Sequence, residues 1–268
     1  KIDSKILSNC KKLKVISRHG VGYDNVDVDY IKQNNIKLLV TDSSTSTSPA
    51  EHIMYMILSI YKGVNMFDSI VRSGKFADAI NLDIKENFEL YKKNILIVGF
   101  GRIGKKLIKK CLGFDLIVSV FDPFVDEKII KSFGGKKVSN LSESLKTTDI
   151  LSLSLPKNKD TYNLISLNEM KLMKKNSIII NVSRGGIINE NDLNFALNNK
   201  IISYAGIDVF EKEPPEKNNP LLSNKRVLLS PHAATFTREC LENMSIETVN
   251  NIIDFFEKKI DKSKIVSL

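Results

Sequence analysis

Cysteine and histidine are scarce in this chain, with three of each in 268 residues. Cys10, Cys111 and Cys240 lie far apart and form no metal-type spacing. That favours a reducing compartment, with buried thiols expected and no metal. Long apolar runs are missing too. The longest apolar helix face, residues 53–61, is too short to span a bilayer. No secretory signal pattern is present, so the expected setting is cytoplasmic, without a membrane partner. Basic blocks are also missing. The formal net charge is +9, but the lysines are scattered and no aromatic-interleaved basic stripe occurs. Nucleic acid is therefore not an expected partner. The charge still supplies a positive background field that gathers small anions. There is no internal repeat. The one compositionally biased stretch is the Ser/Thr run over 41–48, which reads as a linker or hinge.

What is present is ordinary globular material. An apolar content of 42% and a charged content of 26% suit one large or two modest domains with real cores. The front of the chain predicts a strand over 13–17, a helix near 26–34 and a strand over 36–40. Pro49 suits the first turn of a mostly apolar helix that runs on to residue 64. Residues 65–92 are mixed and read as an arm or subunit contact. From residue 94 strands and helices alternate. Strands are expected at 94–99, 116–121, 150–155, 177–181, 203–209 and 226–230. Helices are expected at 102–112, 142–147, 166–174 and 190–199, with a long amphipathic pattern over 237–259. Ser166 and Glu169 have capping-box spacing. The alternation argues for an α/β fold with a doubly wound parallel sheet.

The most informative segment is Gly99-Phe100-Gly101-Arg102-Ile103-Gly104, directly after the apolar strand Asn94-Ile95-Leu96-Ile97-Val98. Gly99 permits the tight turn, Gly101 lets backbone approach a pyrophosphate, and Gly104 lets the following helix pack against the strand. The helix start offers N–H groups and a positive dipole end to phosphates. Asp122 ends the next apolar run, 18 residues beyond Gly104, where a carboxylate can accept hydrogen bonds from ribose hydroxyls. The same charge would repel the extra phosphate of NADP, and Pro123-Phe124 supply no cation for it. The expected cofactor is NAD.

A nicotinamide cofactor implies hydride transfer, which needs a proton donor and a fixed cation near the reacting carbonyl. His232 follows the strand-like Val227-Leu228-Leu229-Ser230-Pro231, at a strand's C-terminal end where such sheets bind ligands. His19 lies in a glycine-rich loop and His52 one turn into a helix. Arg184, in Asn181-Val182-Ser183-Arg184-Gly185-Gly186, also follows a strand and offers a rigid fork of donors. Glu213 follows Gly206-Ile207-Asp208-Val209-Phe210, and a carboxylate near His232 would favour the charged imidazolium. Read singly, each has a bland alternative: a satisfied strand-end histidine, a surface arginine, an exposed loop acid.

Taken together, these segments resemble the D-isomer-specific 2-hydroxyacid dehydrogenases, and among them the phosphoglycerate dehydrogenase branch. The resemblance runs from about Leu13 to Asn250. It is carried by Arg18-His19-Gly20-Val21-Gly22-Tyr23-Asp24-Asn25-Val26-Asp27, Ala50-Glu51-His52, the glycine fingerprint, and the Arg184, Glu213-Pro214 and Ser230-Pro231-His232 segments. It implies that His232 is the acid/base, Glu213 its partner, and Arg184 the residue that binds the substrate carboxylate and polarises the carbonyl. Backbone of Gly20, Val21 and Gly22 would hold the same carboxylate, with Arg18 binding a second anionic group. Asp208 would contact the nicotinamide amide. Arg102 and Ile103 would belong to the pyrophosphate turn, with Leu155, Pro156 and Ser183 completing the cofactor set.

The resemblance also implies two domains. One is a Rossmann-type NAD-binding domain over 49–232. The other is a smaller, discontinuous, flavodoxin-like substrate domain over 1–48 and 233–268. Hinges near Ser48 and His232 would let the pair close, and the usual assembly is a homodimer. An opening βα segment expected before Lys1 is missing, so the chain reads as N-terminally truncated. Ser154 stands where histidine is frequent, and Pro49 where valine is. The implied substrate is a small anionic 2-hydroxy acid. Arg18 points to 3-phosphoglycerate, with glyoxylate, hydroxypyruvate, lactate and sulfolactate as alternatives. A non-enzymatic alternative is an NAD-sensing corepressor of the same fold.

Overall fold

The computed structural model describes residues 1–42, 44–81 and 87–267. Its strands are β1 (Val15–Ser17), β2 (Lys37–Leu39), β3 (Asn94–Val98), β4 (Ile117–Phe121), β5 (Lys136–Val138), β6 (Ile150–Leu153), β7 (Ile178–Asn181), β8 (Tyr204–Ile207) and β9 (Val227–Leu229). Its helices are α1 (Ser4–Leu7), α2 (Val28–Gln33), α3 (Thr47–Tyr61), α4 (Val64–Arg72), α5 (Arg102–Gly113), α6 (Glu127–Ser132), α7 (Leu141–Leu145), α8 (Leu167–Leu172), α9 (Glu190–Asn198) and α10 (Arg238–Phe256). They fall into two compact units: Lys1–Ser48 with Thr235–Leu268, and Pro49–Ala234.

The larger unit is built on a seven-stranded parallel sheet in the order β5-β4-β3-β6-β7-β8-β9. Strand order reverses between β3 and β6, which opens a crevice at the carboxyl ends of these strands. The central strands β3, β6, β7 and β8 bury both faces, so each reads as a continuous apolar run. On β3, Ile95 and Ile97 join a core with Ile53 and Ile57 of α3 and Leu107 and Cys111 of α5. Leu96 and Val98 point the other way, to Leu145 of α7, Met170 of α8 and Leu193 of α9. Helices therefore cover both sides of the sheet. Truncating a fully buried side chain such as Ile97 costs about 2–5 kcal/mol.

Local chemistry sets the helix starts. The Ser166 N–H donates to Glu169 Oε2 at 2.9 Å, and α8 opens on the expected capping box. Asn189 Oδ1 accepts from Asp192 N–H at 3.0 Å to start α9. Several elements were not expected from sequence, β5 and α6 among them. β5 is a three-residue edge strand with two lysines, a composition that marks an exposed edge rather than a core strand. α6 is one short turn and a half behind its Asp126 cap. Between residues 65 and 92 the structure places most of α4 and the 3-10 turn Phe76–Asn81; 82–86 lie outside the described residues. No described helix is long and apolar enough to cross a membrane.

The smaller unit pairs β1 with β2 in parallel. Leu7, Val26, Ile31, Ile36 and Leu38 form its core. α10 starts at a Thr237 cap and lays Cys240 and Met244 inward. Two polar residues of α10 are also buried. Glu247 accepts the Ser44 N–H and hydroxyl at 3.2 and 2.7 Å and lies 3.2 Å from Lys264 Nζ. Asn251 donates to the Val40 carbonyl and accepts from Lys264, both at 3.1 Å. The Ser/Thr run is thus no loose linker: Thr41, Thr45, Ser46 and Ser48 are buried, and the Thr45 hydroxyl donates to the Thr41 carbonyl. Cys111 and Cys240 are buried as expected, whereas Cys10 is exposed.

Candidate active site

The glycine turn lies where β3 meets α5. Gly99 has φ +94, and a Cβ there would run into the Ser154 carbonyl oxygen of the adjacent β6 loop. Gly104 packs against the Gly99 carbonyl, where a Cβ would come within 2.6 Å. Gly101 differs, since a Cβ there meets nothing within 4 Å. No side chain caps α5, so its first turn faces an open cradle. That is what a pyrophosphate needs, and these residues fit a dinucleotide. Ile103 turns its side chain into the core beside α3 and α5, and Arg102 is exposed. Leu155 packs on the opposite core, and the Pro156 carbonyl accepts the Thr161 hydroxyl at 2.7 Å.

Asp122 stands at the end of β4, beside this turn. Oδ2 accepts the Phe100 N–H at 2.7 Å, and Oδ1 accepts the N–H groups of Phe124 and Val125 at 2.9 and 3.2 Å. The carboxylate therefore clamps the glycine turn to its own strand end. A carboxylate has about four acceptor positions, which leaves capacity for a ribose hydroxyl.

Three further loops emerge at the same sheet edge. After β7, buried Asn181 accepts the N–H and hydroxyl of Ser183 at 3.1 and 2.8 Å and donates to the Arg184 carbonyl at 2.9 Å. Ser183 thus commits its donors to shaping the turn. Arg184 is half-buried, and its Nη1 donates to the Ser183 carbonyl at 2.6 Å. Gly185 lies against the Phe210 backbone, so this loop touches the one after β8. There, the Phe210 N–H donates to Glu213 Oε1 at 3.0 Å. The other oxygen, Oε2, is 2.7 Å from His232 Nδ1. Arg184's turn, Glu213 and His232 are thereby joined in one chain of contacts.

With Nδ1 engaged by a carboxylate, Nε2 is the ring nitrogen left to exchange a proton. No hydrogen bond occupies it among the described residues. A pocket of about 360 Å³ adjoins the pair, walled by Phe210, Pro214, Leu222 and Leu229. His232 itself has φ +53, uncommon for a side-chain-bearing residue. Asp208, fully buried at the end of β8, explains it. Its carbonyl accepts the His232 N–H at 2.7 Å, while its carboxylate accepts the N–H groups of Ala233 and Ala234 at 2.8 and 3.0 Å. The left-handed residue lets successive N–H groups converge on one acid, forming an anion nest. The Ser230 hydroxyl donates to the same carboxylate. The Asp208 side chain is enclosed and holds the His232 loop.

His52 was left without a role by sequence reasoning. It projects from α3 to Ser230 Oγ at 2.9 Å. Burial pulls its pKa down, and the Asp208 charge partly opposes the shift. In the smaller unit, Arg18 Nε donates to the Gly22 carbonyl at 3.0 Å, which shapes the glycine-rich loop. The Gly20 N–H donates to Thr41 Oγ1 at 2.7 Å. The N–H groups of Val21 and Gly22 have no acceptor among the described residues.

This arrangement has counterparts. The family profile for "D-isomer specific 2-hydroxyacid dehydrogenase, NAD binding domain" matches residues 54–234, more than half of the chain. The chain belongs to the D-isomer specific 2-hydroxyacid dehydrogenase family. It is 34% identical over 267 residues to a glyoxylate reductase of Thermococcus litoralis, covering 97% of this chain and 79% of that one. It is 32% identical over 254 residues to a D-3-phosphoglycerate dehydrogenase of Archaeoglobus fulgidus, covering 95% of this chain. It spans about half the length of that relative, 47%. Among solved structures it is similar to a D-lactate dehydrogenase from Aquifex aeolicus complexed with NAD and lactic acid. That match has a TM-score of 0.88 and 30% identity, over 99% of this chain and 84% of that one. The seven-stranded sheet accordingly lies in the family's NAD-binding domain.

Proposed function

We propose that the protein interconverts a small anionic 2-hydroxy acid and its 2-keto acid, with NAD as hydride carrier. The observation that carries this reading is the 2.7 Å contact between His232 Nδ1 and Glu213 Oε2 at the carboxyl end of the sheet. In the reducing direction His232 Nε2 gives its proton to the substrate oxygen as the carbonyl is reduced; in the oxidising direction it takes that proton back. Glu213, anchored by the Phe210 N–H, engages Nδ1 and fixes the ring's orientation. Arg184 offers its fork to the substrate carboxylate and polarises the carbonyl. NAD supplies or accepts the hydride. Gly99, Gly101 and Gly104 with the first turn of α5 would hold its pyrophosphate, and Asp122 its adenosine ribose.

Val21 and Gly22 offer backbone donors to the substrate, and Arg18 a cation for a second anionic group. Arg18 favours 3-phosphoglycerate and its 2-keto product as the substrate pair. Glyoxylate is the second reading, favoured by the 79% coverage of a glyoxylate reductase. A homodimer is part of the proposal. α4 buries no residue, and Val64, Met66, Val71 and nearby Phe76 are exposed. A cytoplasmic location accords with three free cysteines.

The test is NADH oxidation with 3-phosphohydroxypyruvate, glyoxylate, hydroxypyruvate and pyruvate. At least one is reduced, and His232→Ala lowers kcat by about 10²–10⁴-fold. Arg184→Ala removes about 3 kcal/mol or more of transition-state stabilisation. Failure to reduce any of them would sink the proposal.

A further inference from the structure

His52 is a half-buried titratable group that takes no part in the steps above. Its Nε2 lies 2.9 Å from Ser230 Oγ and 3.6 Å from Asp208 Oδ1. The hydrogen inventory of this cluster has one solution. Ser230 carries a single hydroxyl hydrogen, and it donates that hydrogen to Asp208 Oδ1. The hydroxyl is then only an acceptor toward the imidazole, so the hydrogen of the His52–Ser230 bond belongs to Nε2. Burial lowers the pKa of this ring, which keeps it neutral near pH 7. His52 is therefore an Nε2–H tautomer, and a one-way chain runs from His52 to Ser230 to Asp208.

The far end of that chain is the His232 loop. Asp208 is fully buried and receives the N–H groups of His232, Ala233 and Ala234 through its carbonyl and carboxylate. The left-handed backbone of His232 persists only while those bonds over-determine it. The direction in which the imidazole points follows from that backbone. Asp208's orientation in turn depends on where Ser230 sends its hydrogen, and His52 decides this by occupying the hydroxyl's lone pair.

We infer that His52 is a positioning residue for the acid/base, acting through Ser230 and Asp208 to aim His232. The inference rests on the acid/base reading of His232 for its kinetic consequence, but its structural content stands apart from turnover. α3 thereby contributes to the chemistry as well as to the core, from a position 180 residues before His232.

The experiment uses the 268-residue protein and its His52→Ala, His52→Gln and His52→Asn variants. His19, His52 and His232 are the only histidines, so imidazole nitrogen NMR gives three ring systems to assign. At about pH 7.5 the His52 ring carries its proton on Nε2 and none on Nδ1. In His52→Ala the His232 ring signals move, and kcat falls about tenfold to a hundredfold, with KM for keto acid and NADH within about twofold. Gln places an amide donor where Nε2 stood and returns both readouts toward wild type. Asn places it near Nδ1, too short to reach Ser230, and does not. A His52 ring protonated on Nδ1, unmoved His232 signals in His52→Ala, or equal losses for Ala and Gln would each overturn the inference. If the Ala variant does not fold, the wild-type tautomer and the Gln–Asn contrast still decide. The ring spectra need no turnover, so a protein that reduces no keto acid sinks the proposed function while this inference is judged on the spectra.

Discussion

Gly185 lies so close to Phe210 that any Cβ on it would occupy the space of the Phe210 carbonyl group. The turn that carries Arg184 and the loop that carries Glu213 are therefore locked together by backbone contact. Gly185→Ala drives them apart. The expected result is a loss of about 1–3 kcal/mol of stability from overpacking, and a larger effect on catalysis. Displacement of Arg184 relative to His232 by about an ångström lowers kcat/KM by about 10²-fold. Urea unfolding and steady-state kinetics on the same preparation measure both. A variant with wild-type kcat/KM would show that the two loops are not coupled.

Asp122 clamps the glycine turn, and in the proposed function it also selects the cofactor. Asp122→Ala leaves the N–H groups of Phe100, Phe124 and Val125 without their acceptor, which costs about 1–3 kcal/mol in thermal or urea unfolding. It also removes the charge that repels a ribose phosphate, so the ratio of kcat/KM for NADH over NADPH falls. A stability loss with an unchanged ratio would leave Asp122 as a clamp of the glycine turn and nothing more.

The depressed pKa of His52 makes stability depend on pH in a defined direction. In the unfolded chain the imidazole takes up a proton near 6.5, while in the folded protein burial delays that uptake to lower pH. Stability from this group is fully present above pH 6.5 and is lost as pH falls from there toward the folded pKa. His52→Gln abolishes the effect. Unfolding free energies of the two proteins, measured from pH 7.5 downward, should therefore draw together in acid (about one pH unit below 6.5 suffices to see it). Parallel curves would contradict the burial of His52.

Thiol reactivity distinguishes the three cysteines. Cys10 is exposed, whereas burial pushes the Cys111 thiol up to about 12 and raises that of Cys240 as well. A chromogenic disulfide reagent should label one thiol quickly in the native protein and all three in denaturant. Rapid labelling of Cys111 without unfolding would mean that its α5 face opens.

What the sequence made legible was local. The glycine fingerprint, the apolar strands of the sheet and the Ser166 capping box each rest on spacing within a few residues, and each is found where that spacing points. β5 was missed because two of its three residues are lysines and it pairs along one edge only. The structural bonds of Asp208 were not legible because its partners, Ala233 and Ala234, lie 25 and 26 residues further on. His52 had no role for the same reason, since Ser230 lies 178 residues away. Hydroxyl-rich composition suggested a solvated linker over 41–48, yet hydroxyls paired to backbone are compatible with burial, as Thr41 and Thr45 show. A sequence does not reveal that Thr41 takes the Gly20 N–H.

The segment after α10 has a consequence for anyone shortening or tagging this protein. Val266 donates to the Leu38 carbonyl, Val40 donates to the Lys264 carbonyl, and Lys264 supplies the cation against Glu247. Deleting from residue 262 onward would remove the Lys264 cation from the buried Glu247 carboxylate while its Ser44 hydrogen bonds remain, at a cost of about 3 kcal/mol. It would also unzip the outer margin of the small β-sheet. A truncation or insertion that disturbs residues 262–266 therefore loosens the smaller unit.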